Sequence, residues 1–150
     1  MTGKSASILI LVALAIAAML LGSLVGCECA ASYSSAYLSE ATMCKSVDAQ
    51  NRPVDKTDVF SASDPIIYCS VKLSNAPDDT EVKAVWIIVQ GEFQGQSLTN
   101  YTVDEASVTA GGRKYASFYL SQTKGFPTGD WAVKLFLDGK EQVAVPFKVQ

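Results

Sequence analysis

A chain of 150 residues has room for one domain built around one core. Its 15 acidic residues outnumber its 12 basic ones, and the basic ones are scattered along the chain. No electropositive stripe is offered to a phosphate backbone, so nucleic acid is excluded as an expected partner. Histidine is absent; with it go the commonest general base, the commonest metal ligand and the middle member of every Ser/His/Asp or Cys/His arrangement, which excludes most hydrolases and most zinc or copper sites.

In chain order, Lys4 and the free amine precede an uncharged, almost wholly apolar run from Ser5 to Cys27. It has no polar face every third or fourth position, so it is not a soluble core helix, and a cation followed by an apolar segment and small residues is the order of an export signal. The run is also long enough for a transmembrane helix of about 20 residues. At its end stands "LVGC", Leu24 to Cys27, which resembles the lipobox of prokaryotic lipoproteins. That resemblance implies that residues 1–26 are a lipoprotein signal peptide, that the Cys27 thiol receives a diacylglyceryl group, and that the chain is cut just before it. Two or three acyl chains hold stably where one binds only marginally. The alternatives are an uncleaved transmembrane anchor and an ordinary secreted product; with either anchor the remaining chain sits at the cell membrane on its extracytoplasmic side.

Residues 27–40, rich in Ser and Ala and without a clear period, read as a tether with a span of about 20 Å, or else as a frayed helix around Ala36 to Ala41. From Ala41 onward apolar residues alternate, turn signals recur, and no helical period lasts three turns. Ala41 to Val47 reads as a first strand. Ile67, Cys69, Val71 and Leu73 share one face of the next, and Val82, Ala84, Trp86 and Ile88 alternate with Val85, Ile87 and Val89 in a strand expected to be central. Gly111-Gly112 suggests a hairpin pairing Tyr101 to Val108 with Lys114 to Ser121, whose Ala116, Phe118 and Leu120 fall together. Trp131, Val133, Leu135 and Leu137 then lead through Asp138-Gly139, a two-residue hairpin turn, to Val143, Val145, Phe147 and Val149. Pro146 has no N–H to give a ladder, so its nitrogen is expected to face an edge or solvent.

The fold class is therefore all-β: an immunoglobulin-like β-sandwich of about seven strands over residues 41–150, preceded by an N-terminal hydrophobic signal or anchor helix. Cys69 followed by Trp86 is similar to the Cys and Trp of antibody domains, but no second cysteine lies on the Trp131 to Leu137 strand, so this is not an antibody-type domain. The segment from "MCKSVD" to "PFKV" resembles stand-alone Ig-like modules of exported prokaryotic lipoproteins, with "PTGDWAVKLFLDGK" as its most recognisable part. That resemblance implies the fold and brings no activity with it.

Three cysteines follow Cys27. Cys44 and Cys69 both lie on expected strands in an oxidising compartment, and a disulfide between them is expected, worth about 3 kcal/mol in the chain-entropy model; the alternative is that Cys69 is a small buried apolar residue. Cys29 is left over as a free thiol, a second acylation site or an intermolecular link. Asp55, Asp58 and Asp64, and Asp78, Asp79 and Glu81, gather in two loops, where carboxylates support turns more often than they bind calcium, and no calcium-loop spacing is present. Tyr33, Tyr37, Tyr68, Tyr101, Tyr115 and Tyr119 either supply a stacking platform or sit on strands for propensity alone. Asn100-Tyr101-Thr102 is a glycosylation sequon. No catalytic residue, cofactor or metal is expected. The reading is an anchored, non-catalytic extracytoplasmic binding module whose partner is an unknown protein or carbohydrate. Its alternatives are a structural, envelope-organising subunit of a larger membrane assembly and, ranked last, a peptidase inhibitor.

Overall fold

The computed structural model describes residues 35–150. The expected N-terminal helix, Cys27, Cys29, Tyr33 and the first part of the expected tether lie outside the described residues. Within them the strands are β1 (Tyr37–Val47), β2 (Pro53–Lys56), β3 (Val59–Phe60), β4 (Ile66–Ser74), β5 (Glu81–Phe93), β6 (Gln96–Thr109), β7 (Tyr115–Ser121), β8 (Thr128–Leu137) and β9 (Lys140–Val149). They form a four-stranded sheet in the order β2-β1-β4-β7 and a five-stranded sheet in the order β3-β9-β8-β5-β6.

Period-two alternation decides which face of each strand turns inward. Ile67, Cys69, Val71 and Leu73 of β4, with Ala116, Phe118 and Leu120 of β7, meet Val82, Ala84, Trp86 and Ile88 of β5 and Trp131, Val133, Leu135 and Leu137 of β8 in one buried cluster. Phe147 is the hub of its aromatic part. Its ring centroid lies 5.6 Å from Phe60, 6.1 Å from Trp86 and 5.7 Å from Trp131, the first two edge-on. Edge-on contacts at such distances add to the burial of each ring because the positive edge of one ring meets the negative face of the next.

Two turns are set by backbone chirality. Asp138 and Gly139 join β8 to β9 at φ 46° and 78°, as the sequence leads one to expect, and Gln94 and Gly95 join β5 to β6 at φ 52° and 80°. Both are the mirror-image turns whose twist matches that of the flanking strands. The Gly111-Gly112 turn does something other than expected. β6 pairs with β5 along its length and β7 pairs with β4, so this turn carries the chain from one sheet to the other and makes no hairpin.

The segment from β2 to β3 also changes sheets. Thr57 N–H donates to Met43 O at 3.1 Å beside β1, whereas Lys148 N–H and Gln150 N–H donate to Asp58 O and Phe60 O at 2.8 and 2.9 Å beside β9. One side of the sandwich is thereby closed. Pro146 stands two residues before Lys148, so its nitrogen points the same way, toward this edge and away from β8, as its chemistry requires.

β1 begins at Tyr37, inside the expected tether. Glu40 at φ 51° and a register shift between Ser39 and Thr42 make a bulge that interrupts the alternation, which hides the strand's first turn of residues from a period-two reading. The expected Cys44–Cys69 bond is not formed, and both thiols are free and buried. Register explains why: Met43 lies opposite Cys69 and Cys44 opposite Tyr68, so the two cysteine side chains leave the sheet on opposite faces and cannot bridge. Cys69 belongs to the core, where burial pushes its thiol up to about 12. Burial likewise raises the thiol of Cys44 on the other face.

Candidate functional site

The outer face of the four-stranded sheet carries the polar side chains that alternate with its core residues: Tyr68, Ser70 and Lys72 from β4, and Tyr115, Ser117 and Tyr119 from β7. The connection from β1 to β2 folds over this face. Asp48 organises it, with one carboxylate oxygen accepting from the backbone N–H groups of Gln50 and Arg52 at 2.9 Å each and the other accepting from Arg52 Nε at 2.7 Å. These bonds, that of the Arg52 N–H first among their causes, hold the Asp48 carboxyl below its usual range. Asn51, at φ 63°, is then pinned to the sheet: its carbonyl accepts from Ser70 Oγ at 2.6 Å and its side-chain oxygen from Ser117 Oγ at 2.8 Å. This is why Ser70, an outward-facing hydroxyl, is fully buried.

Between this strap and the turn leading into β7 runs a groove of about 820 Å³, lined in part by Asn51, Arg52, Lys72, Arg113, Lys114 and Tyr115. Lys72 Nζ lies 2.7 Å from Glu40 Oε1, and Tyr115 donates its hydroxyl to Glu40 Oε2 at 3.2 Å. The bond from Lys72, followed by that from Tyr115, holds the Glu40 carboxyl below its ordinary value, and the same bond raises Lys72. Arg52 is balanced by Asp48. Among the described residues the Arg113 guanidinium donates only to the Thr109 carbonyl, at 3.4 Å. Neither Arg113 nor Lys114 has a carboxylate partner among the described residues. In a chain of net charge −3, four cations thus converge on one groove and two are uncompensated. At an exposed site such charges attract anions over about a Debye length.

The remaining candidates separate. Tyr68 and Tyr119 pair on the same outer face with centroids 6.0 Å apart, and Tyr119 is 62% exposed, while Tyr101 lies on β6 in the other sheet. Tyr37 begins β1 and is exposed. Asp64 serves its own turn, accepting from Ser61 N–H at 2.9 Å and pairing with Lys45. The carbonyl of Asp78 accepts from Gly111 N–H. Glu81 N–H is capped by Asp138 Oδ1 at 2.9 Å. Asn100 sits on β6 at φ 49°, exposed.

No family model matches the chain, and no curated protein matches it. Among solved structures it is similar to an immunoglobulin-like protein from Pseudomonas aeruginosa, at 13% identity and a TM-score of 0.54, over 79% of this chain and 99% of that one. It also matches part of an alkylpurine DNA glycosylase from Pseudomonas fluorescens, at 13% identity and a TM-score of 0.47, over 78% of this chain and 31% of that one. A third match is part of a beta-glucosidase from Listeria innocua, at 12% identity and a TM-score of 0.47, over 78% of this chain and 16% of that one. The first likeness, together with the two-sheet architecture, gives the described residues an immunoglobulin-like fold. At such identity it speaks for the fold alone.

Proposed function

We propose that the protein is a membrane-anchored, extracytoplasmic binding module without catalytic activity of its own, and that the groove between the Asn51 strap and Tyr115 is where its ligand sits. The observation that carries this reading is the convergence of Arg52, Lys72, Arg113 and Lys114 on one concave surface of an otherwise acidic chain. The groove suits an anionic segment of a protein or carbohydrate partner, with carboxylates meeting Arg113 and Lys114 and the Tyr115 ring offering a flat contact. Anchoring rests on the "LVGC" resemblance, with Cys27 as the lipidated residue or the apolar run as a retained helix.

Two anionic probes test the groove: a uronic-acid polymer and a poly-glutamate peptide, titrated into the full chain at low and at physiological salt. Binding of at least one, weakened by salt and lost on Arg113→Glu with Lys114→Glu, supports the reading. Binding no stronger than that of neutral dextran, or binding that the double reversal leaves unchanged, defeats it. The envelope-organising alternative draws on a different surface. On the outer face of the five-stranded sheet Val59 and Val89 are 39% and 42% exposed beside Ala132 and Pro146, around a shallow depression of about 400 Å³.

A further inference from the structure

The two sides of the sandwich are treated differently. On one, the segment from β2 to β3 crosses between the sheets, and the open part of β9 presents Pro146, which has no N–H to offer. On the other, β6 ends the five-stranded sheet and β7 ends the four-stranded one. The β6 edge is interrupted by a bulge opposite Trp86 and Ile87, by Asn100 in the left-handed region, and by the charges of Asp104 and Glu105. These are the devices that keep a strand edge from pairing. β7 has none of them: "YASFYLS" carries no charge, no proline and no left-handed residue, and its pairing with β4 runs without a shift.

The direction of its free hydrogen-bonding groups is fixed. Leu73 N–H donates to Lys114 O at 2.8 Å, so residues 114, 116, 118 and 120 turn their backbone groups toward β4. Tyr115, Ser117, Tyr119 and Ser121 turn theirs outward, where no strand of the described chain follows β7.

We propose that two copies of this chain join through β7, edge to edge and antiparallel with Phe118 on the dyad, to make one continuous eight-stranded sheet. The occupant is a second copy because the strand is complementary to its own reversal. About Phe118, Tyr115 stands opposite the partner's Ser121 and Ser117 opposite the partner's Tyr119 on the outer face, while Ala116 stands opposite the partner's Leu120 on the inner one. Every pair off the dyad thus sets a large side chain against a small one, and no charge meets a like charge. Centring the dyad on Ser117 or Tyr119 instead shortens the overlap and sets Tyr against Tyr. The four outward residues of each copy make about eight backbone hydrogen bonds, two for each hydrogen-bonded pair. Strand addition at a free sheet edge is a recurrent mode of association, and the isologous geometry closes at two copies. Because Tyr115 also lines the groove, the dimer sets two grooves on one surface. The dimer itself does not depend on what the groove binds.

The test uses the full chain in its membrane, with a benzophenone side chain in place of that of Tyr119. Irradiation is expected to give a covalent species of twice the chain mass, with its junction within residues 113–122 of the second copy. Ser121→Pro removes an outward N–H that serves no bond within the domain, and is expected to lower that yield at least tenfold with the melting temperature unchanged; Ser121→Ala is expected to leave it intact. A junction elsewhere, capture of a different protein, an absence of double-mass product, or a yield indifferent to Ser121→Pro overturns the proposal. If Ser121→Pro does not fold, the position of the junction decides by itself.

Discussion

The two tryptophans offer a matched experiment on what a buried N–H contributes. Trp86 and Trp131 are each 1% exposed and each touch Phe147. Their indole N–H groups differ: Trp131 Nε1 donates to the Pro127 carbonyl at 3.0 Å, whereas Trp86 Nε1 has no hydrogen-bond partner among the described residues; Trp131 also meets Phe126 edge-on at 6.2 Å. Replacing either by Phe removes the same atoms and leaves a comparable void, so the transfer and cavity costs nearly cancel between the two variants. What remains is the polar balance. Trp131→Phe gives up a net hydrogen bond of about 1 kcal/mol and leaves the Pro127 carbonyl unpaired. Trp86→Phe relieves an unmet donor whose burial costs about 1 to 3 kcal/mol. Trp131→Phe is therefore expected to be the more destabilising by about 2 to 4 kcal/mol, or about 8 to 16 °C in melting temperature at about 4 °C per kcal/mol for a domain of this size. Urea unfolding of a fragment carrying residues 35–150, followed by far-ultraviolet circular dichroism, measures both. Equal losses for the two variants, or a larger loss for Trp86→Phe, show that the indole N–H groups do not set the difference.

Other outcomes follow from the same geometry. A fragment starting at residue 41 loses the pairing of Tyr37 and Leu38 with Ser74 and Leu73 and is expected to be less stable than one starting at 35 by about 1 to 3 kcal/mol, read by the same urea titration. Cys44 and Cys69 are expected to remain thiols that alkylating reagents reach at pH 8 only after unfolding; a linked peptide pair in protein taken from its native compartment contradicts the register. The Glu40 carboxyl is held below its ordinary value, so its contribution to stability is present above the unfolded-state value and lost as the pH falls through the lower, folded-state value; Glu40→Gln is expected to flatten that acid limb of the melting curve. Gly129→Ala is expected to cost about 1 to 3 kcal/mol, because a methyl group there meets the Gln90 carbonyl and the residue sits at φ 132°, and thermal melting measures it. Intact mass of the membrane-extracted protein is expected to show a chain beginning at Cys27 with added acyl mass, and an unprocessed Met1 chain points to the retained helix.

Much of the fold is legible because alternation and chiral turns are local signals. Val82 to Ile88 and Trp131 to Leu137 declare their buried faces residue by residue, and Asp138-Gly139 declares the hairpin that follows. The Gly111-Gly112 turn misleads because a reversal in the chain does not say whether the next strand lies in the same sheet. The Gln94-Gly95 hairpin is hidden because β5 runs on past Ile88 into exposed residues, where no buried face marks the strand. The Cys44–Cys69 pairing misleads because two cysteines on neighbouring strands do not say which face each takes, and it is Met43, not Cys44, that stands opposite Cys69. The groove is the least legible feature. Arg52, Lys72 and the Arg113-Lys114 pair come from three separate segments and meet only when the strap closes over β4 and β7, so their scatter along the chain reads as an absence of basic surface. Asp48 and Asn51, which hold that strap, show as nothing more than loop residues in the sequence.

The claim that this groove is the working surface of the module is tested most directly by retention of native envelope components on the immobilised full chain, wild type against Arg113→Glu with Lys114→Glu. The wild type is expected to retain an anionic component at physiological salt, and the double variant at least tenfold less of it, with both proteins melting at the same temperature. Equal retention of every component by the two proteins contradicts it.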